Sequence, residues 1–174
     1  MTIETQRLKV RHADKEKDAE NYFRLYSDAV TMKYFKKPEN MTLETTRERL
    51  ITENTIECLT VFEKTGAFVG YCGLKSRFTP REATTADQEA VILLLGFYTQ
   101  KRYGPELFRR LEEYAKETLK APRLIGIVNQ GNEPCLRMLR NVAMTDATER
   151  LKEDDFVEYL HILPQGHVLY FKQF

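Results

Sequence analysis

The stretch Leu93–Leu111, LLLGFYTQKRYGPELFRRL, decides the fold. A short, uniformly apolar run reads as a buried strand, Glu89–Phe97, covered on both faces. It breaks into a polar, basic turn, Gln100-Lys101-Arg102-Tyr103-Gly104. A helix then opens at once, with Pro105 at its first position. The helix reads over Tyr103–Leu119, with Leu107, Leu111, Tyr114 and Ala115 as one face at 3.6-residue spacing. The unpaired N–H groups and positive dipole end of a helix N-terminus suit a phosphate, and Lys101 and Arg102 add charge there. An ordinary surface connection with two solvated cations accounts for the same residues. The turn matches neither G-x-x-x-x-G-K-[ST] nor G-x-G-x-x-G.

A second junction of the same kind follows at Leu124–Met144, LIGIVNQGNEPCLRMLRNVAM. A buried strand ends at Val128, and a helix starts near Glu133-Pro134. Asn132 is an N-cap by chemistry; alternatively its amide reaches a ligand between this helix and the preceding one. Cys135 sits in the first turn, where a helix dipole lowers a thiol pKa, and is otherwise a small buried hydrophobe.

Outward from these junctions, Ile3–Arg11 reads as a first strand, and Ala19, Tyr22, Phe23 and Tyr26 as one face of a helix beginning after Asp14. A second helical piece covers Val30–Phe35, ended by Pro38. Thr42 caps a helix carrying Leu43, Leu50 and Ile51, with Thr45 and Thr46 in place of the capping-box glutamate. Leu59–Glu63 and Phe68–Leu74 form a hairpin around Lys64-Thr65-Gly66, and Thr79–Asp87 is a loop. Phe156–Leu163 and His167–Phe171 read as a closing hairpin around Pro164-Gln165-Gly166. Strands interleaved with helices in this order make an α/β or α+β fold with a mixed sheet.

Composition excludes several classes. Of 174 residues 42% are apolar, and 27 Lys and Arg balance 26 Asp and Glu for a net charge of +1. That is too apolar for a disordered chain and lacks the cationic excess of a charge-driven nucleic-acid binder. Arg109, Arg110, Lys116 and Lys120 are interleaved with Glu112, Glu113 and Glu117, as on a plain solvated face. Cys58, Cys72 and Cys135 have no C-x-x-C spacing, and His12, His161 and His167 form no cluster, so neither a disulfide framework nor a metal site is expected. No apolar run approaches the roughly 20 residues of a membrane helix. The N-terminus has no signal-peptide pattern, and a cytoplasmic protein is expected.

The two junctions, taken in order, resemble the GNAT superfamily of acetyl-CoA-dependent N-acetyltransferases. Glu4-Thr5-Gln6-Arg7-Leu8-Lys9-Val10-Arg11 is similar to the T-E-R-L-x-L-R opening of its ribosomal-protein N-acetyltransferase (RimJ/RimL-like) branch, and Glu63–Leu74 to that branch's K-x-x-G-x-x-I-G-x-x-G-L hairpin. Asn132-Glu133-Pro134-Cys135-Leu136-Arg137 resembles N-x-x-S-x-R, and Asn141–Met144 stands for K-L-G-F. The sequence departs from the pattern at Gln100 and Arg102, which replace two loop glycines, at Cys135 for serine, at Ala143-Met144 for Gly-Phe, and at Leu139, where some relatives carry a tyrosine acid.

The resemblance implies one domain over residues 1–174, with a central, mixed, mostly antiparallel sheet of about seven strands flanked by helices. It also implies acetyl transfer from acetyl-CoA, without a metal, to a primary amine of a protein N-terminus or a small molecule. The coenzyme would be held by Leu94, Leu95, Gln100, Lys101, Arg102, Tyr103, Gly104, Pro105, Asn132 and Arg137. A backbone N–H near Leu94 or Leu95 would meet the developing oxyanion. Glu89 is the candidate base and Cys135 the candidate acid. Tyr22, Tyr26, Tyr34 and Phe35 are candidates to line an acceptor pocket, or are core. The chain would act as a monomer or homodimer. The alternative is a degenerate module that binds acyl-CoA or a protein partner without turnover.

Overall fold

Thr5 splits the opening segment in two. Its hydroxyl accepts from the Leu8 N–H at 2.9 Å, and its own N–H donates to the Leu8 carbonyl at 2.9 Å. Ile3–Arg11 is therefore a tight hairpin rather than one strand, with β1 (Thr2–Glu4) antiparallel to β2 (Leu8–His12) and Ile3 opposite Val10. The computed structural model describes residues 2–35, 39–52, 57–80 and 83–174. They fall into two units: one runs up to Gly73 and takes in Val91–Leu107, the other is Leu74–Ala90 with Phe108–Phe174.

In the first unit, Asp14 caps α1 (Lys15–Ser27) by accepting from the Glu16 and Lys17 N–H groups. Of the face foreseen at 3.6-residue spacing, Ala19, Tyr22 and Tyr26 are buried and Phe23 is half-buried; Leu25 joins them in the core. Tyr22 packs on Phe68 and Tyr71 at centroid distances of 6.4 and 5.9 Å, so its ring is core. A 3₁₀ turn at Thr31–Tyr34 follows; Pro38, expected to end it, lies outside the described residues. Thr42 and Thr45 form the expected reciprocal cap of α2 (Leu43–Thr52): each backbone N–H donates to the other's hydroxyl, at 2.9 and 3.1 Å. β3 (Glu57–Glu63) and β4 (Phe68–Ser76) flank the turn at Lys64–Gly66. The strand order here is β1-β2-β3-β4-β5, with β5 at Gln88–Leu94.

β5 ends three residues before the expected boundary. From Leu95 the chain tightens into a 3₁₀ turn, Gly96–Lys101, closed by the Tyr98 N–H on the Leu95 carbonyl at 2.7 Å. α3 (Tyr103–Glu117) then begins where the sequence places it and ends two residues short of Leu119. Pro105 is thus its third residue, still in the first turn, where a missing N–H costs nothing.

The second unit carries the order β4-β5-β6-β8-β7, with β6 at Arg123–Asn129, β7 at Thr145–Asp146 and β8 at His167–Gln173. β6 and β8 pair antiparallel over their whole length, Arg123 opposite Gln173 and Asn129 opposite His167. β5 and β6 run parallel but pair only at Gln88–Leu124 and Glu89–Ile125. With β1–β2, β2–β3 and β7–β8 also antiparallel, the sheet is mixed and mostly antiparallel, as expected. α4 (Glu133–Asn141) buries Leu136 and Leu139, and Leu139 lies over Gly126.

Phe156–Leu163 is not a strand. Phe156 and Tyr159 are buried three residues apart while Val157 and Leu160 are 40% and 46% exposed, a period of three that belongs to the 3₁₀ turn at Val157–His161. Phe156 and Tyr159 pack with Ile125, Ala147, Leu151, Leu169 and Phe171 into this unit's core. Among the described residues no helix is long and apolar enough to cross a membrane.

Candidate functional site

Three strand residues set the end of β5. The Leu95 N–H donates to the Val69 carbonyl at 3.0 Å, so it is spent on β4 and cannot serve an oxyanion. Neighbouring residues of a strand point their N–H groups to opposite edges. The Leu94 peptide therefore faces away from β4, and its carbonyl accepts from the Thr31 hydroxyl at 2.8 Å. Of the two expected donors, Leu94 is the one whose orientation is compatible with the role.

Gly70 makes this arrangement possible. A Cβ there would lie 2.1 Å from the Leu93 carbonyl oxygen and 2.9 Å from the Leu94 Cα, both backbone atoms that cannot give way. Gly70→Ala is expected to destabilise the protein by about 1–3 kcal/mol, the scale of an overpacked core. A urea melt checks it; an unchanged midpoint would mean that β4 and β5 have room to part.

The loop between β5 and α3 turns on Arg102. Lys101 closes the right-handed 3₁₀ turn, and Arg102 is left-handed at φ 59°, ψ 32°. A right-handed residue followed by a left-handed one converges successive backbone N–H groups into a concavity that binds anions. The sequence offers no glycine at Arg102, and a non-glycine residue here carries about 1–2 kcal/mol of strain. The Arg102 side chain and Gln100 are exposed, while Gly104 and Pro105 are half-buried.

Lys101 and Tyr103 converge on Glu63. The Lys101 Nζ donates to Glu63 Oε1 at 3.1 Å and lies over the Phe97 and Tyr98 rings at 4.8 and 4.7 Å. The Tyr103 hydroxyl donates to the same oxygen at 2.5 Å. That bond pushes the phenol up to about 12 and, with Lys101, holds the Glu63 carboxyl below the usual range. Both side chains therefore anchor the loop to Glu63. Glu63 was missed because it reads as a hairpin residue with no partner nearby in the chain.

Arg7, a member of the opening motif, bonds across the chain to the loop before α3. It donates from its backbone N–H and Nε to Glu106, at 3.0 and 2.8 Å, and from its terminal nitrogens to the carbonyls of Lys101 and Arg102, at 2.9 and 3.1 Å. Glu106, in the first turn of α3, also accepts from the Thr5 hydroxyl. Burial alone would raise its pKa, but the bonds from Thr5 and Arg7 outweigh burial and hold it low.

In the second unit, Glu89 is the second residue of β5 and is buried. The sequence did not reveal its partner. Arg77 grips the carboxylate with Nε at 2.6 Å and with a terminal nitrogen. Asn132 takes the capping role: its Oδ1 accepts from the Cys135 N–H at 3.3 Å, leaving the amide nitrogen to face elsewhere. Burial pushes the Cys135 thiol up to about 11, opposite to the lowering expected from the helix dipole. Arg137 is exposed and 3.9 Å from Glu133, a loose pair one helical turn apart. Tyr26 is buried with Tyr22, whereas Tyr34 and Phe35 are partly or largely open to solvent.

A buried constellation that the sequence reading passed over lies beside Glu89. The Asp87 carboxylate accepts from Arg123 Nε at 3.0 Å, from a terminal Arg123 nitrogen at 2.7 Å and from the Tyr159 hydroxyl at 2.7 Å. Arg123 also donates to the Asp155 carbonyl at 3.0 Å and stacks on Phe156 at 4.4 Å.

Residues 7–145 match the GNAT acetyltransferase domain, about four-fifths of the chain. The chain belongs to the GNAT acetyltransferase family. A GNAT-family acetyltransferase from Bacillus anthracis aligns with a TM-score of 0.72 at 20% identity, covering 98% of this chain and 96% of that one. The ribosomal-protein-S5-alanine acetyltransferase from Vibrio fischeri aligns at 0.70 and 14% identity, covering 99% and 96%. A spermidine N-acetyltransferase chimera from Vibrio cholerae aligns at 0.70 and 12%, covering 95% of each. At these identities the structures establish the GNAT fold. No match was found among curated proteins. Membership of the GNAT family makes this chain an acyltransferase that uses acetyl-CoA.

Proposed function

We propose that the chain transfers acetyl from acetyl-CoA to the nitrogen of a primary amine by direct attack, on a RimJ/RimL-like scaffold. One observation carries the reading. The turn at Lys101-Arg102 keeps its right-handed, left-handed sequence without a glycine, the backbone form that suits an anion. That removes the reason for a module stripped of turnover, which rested on the missing glycines. The opening Thr5-Gln6-Arg7-Leu8-Lys9-Val10-Arg11 supports the branch. The likenesses to a ribosomal-protein acetyltransferase and to a spermidine acetyltransferase keep both a protein N-terminus and a small polyamine in view as acceptors.

In this reading the amine first loses a proton, because ammonium is not a nucleophile. Glu89 takes that proton, through water, as general base. The amine nitrogen bonds to the acetyl carbon, the carbonyl oxygen gains charge facing the Leu94 N–H, and the carbon–sulfur bond then breaks. The departing thiolate takes its proton from the attacking nitrogen, which is cationic and acidic once bonded to the acetyl carbon. Cys135 is left out of that step, because a thiol at about 11 gives its proton to a thiolate of ordinary pKa, about 8.5, only uphill. Asn132 and Arg137 remain assigned to the coenzyme, the first through its amide nitrogen.

CoA at 100 times its Kd is expected to add about 2.7 kcal/mol of stability, a rise of roughly 5–10 °C in Tm. No thermal shift with millimolar CoA would overturn the reading. An acceptor screen by mass spectrometry, read as the mass gain of one acetyl group, then identifies the amine.

A further inference from the structure

We infer that Arg7 is a positioning residue for the coenzyme's phosphates: it holds the backbone of Lys101 and Arg102 in the anion-binding turn without touching the anion itself. The inference rests on the reading of that turn as the phosphate site. Arg7 lies in the turn between β1 and β2, yet its guanidinium donates to two consecutive carbonyls, those of Lys101 and Arg102, at 2.9 and 3.1 Å. In a trans peptide the C=O and the next N–H point in opposite directions. Pulling those two carbonyls toward Arg7 therefore aims the N–H groups of Arg102 and Tyr103 away from it, to the side where an anion would sit.

The turn needs such a brace. Arg102 is left-handed at φ 59°, a conformation that glycine adopts freely and arginine resists. Arg7 is in turn fixed from its other side. Its Nε and a terminal nitrogen pair with Glu106, and its guanidinium lies over the Tyr103 ring at 4.6 Å. Glu106 neutralises the charge, and both terminal nitrogens are engaged with carbonyls of the loop. The guanidinium is thus committed to protein atoms, which makes it a brace rather than a ligand. The rigid fork is what allows one side chain to bond a carboxylate and two carbonyls at once; a lysine ammonium, compact and at the end of a flexible stem, has no such fork.

The test is CoA binding by calorimetry on the full chain, with Arg7→Ala, Arg7→Lys, Arg102→Gly and the double variant Arg7→Ala/Arg102→Gly. Wild type is expected to bind, and Arg7→Ala to raise Kd at least tenfold. Arg7→Lys should fail to rescue, losing at least fivefold, and it carries the test if the alanine variant does not fold. The double variant is decisive. Glycine at position 102 relieves the need for the brace, so Arg102→Gly should recover at least threefold in the Arg7→Ala background and much less in wild type. A purely structural role for Arg7 gives no such coupling. The amide signals of Arg102 and Tyr103 should also move in Arg7→Lys before any ligand is added. A Kd within twofold of wild type in folded Arg7→Ala, or equal effects of Arg102→Gly in both backgrounds, overturns the inference and leaves the proposed function standing. Failure of wild type to bind CoA overturns the proposed function, and the inference with it.

Discussion

Asp87→Ala is expected to lower the stability of the protein by about 3–5 kcal/mol, the cost of removing one partner of a buried ion pair. For a chain of this size that is a fall of roughly 6–20 °C in Tm. Asp87 and Tyr159 are fully buried and Arg123 is 3% exposed. The Asp87 carboxylate answers both the guanidinium and the phenol, and without it the guanidinium keeps only the Asp155 carbonyl among these partners. Tyr159 is left with a hydroxyl in an apolar core, packed edge-on to Phe78 at 5.3 Å. Burial, then the Asp87 charge, pushes that phenol well above its ordinary pKa, so it stays a neutral donor at any working pH. Tyr159→Phe loses one bond to a charged acceptor and is expected to cost less, about 1.5–3 kcal/mol. Asp87→Leu combined with Arg123→Met, which removes both charges and keeps the volume, should recover much of the loss. Urea melts of the four proteins decide the matter. A loss below about 1 kcal/mol in Asp87→Ala would mean that water enters and solvates Arg123.

How legible the fold was depended on the range of the interaction. The Thr42–Thr45 pair acts across three residues, and its capping chemistry was read correctly from residue type and spacing. α1, α3 and α4 declared themselves through apolar periodicity, and the mixed sheet through the order of the runs. Errors arose where a turn was cheaper than the pattern implied. The Thr5 hydroxyl closes a hairpin inside what alternates as one strand. Phe156–Leu163 is apolar enough for a strand, but its buried residues repeat every three positions. The candidate site was legible as a location and not as a set of contacts. Arg7 meets its loop carbonyls across 94 and 95 residues, Asp87 meets Tyr159 across 72, and Lys101 meets Glu63 across 38. At such separations a charged residue in a sequence looks like any solvated one. Arg102 reads in the sequence as added charge, and its left-handed backbone is not visible there. No residue type announces a left-handed arginine, because the brace that stabilises it comes from elsewhere in the chain.

Glu89→Gln is expected to lower kcat by about 10² to 10⁴, the range of general-base assistance, while CoA affinity stays put. Glutamine keeps the shape of the carboxylate and cannot accept a proton. Glu89 stands near the head of β5 and is buried, so it does not idle as a strand-end carboxylate in water. Its ion pair with Arg77 offers a purely architectural account of the same burial, and the pH–rate profile separates the two. As a base, Glu89 gives wild type an ascending limb in kcat that the glutamine variant lacks. As architecture, it gives Glu89→Gln a stability loss with the limb unchanged. Arg77→Gln sharpens the contrast, since it removes the pair and keeps the carboxylate. A base predicts that Arg77→Gln retains turnover far above Glu89→Gln at the upper end of the limb. Architecture predicts that the two variants lose stability alike and turnover alike. Wild-type turnover in Glu89→Gln, on the acceptor found by the screen, would move the base to the substrate or to a water held by the backbone.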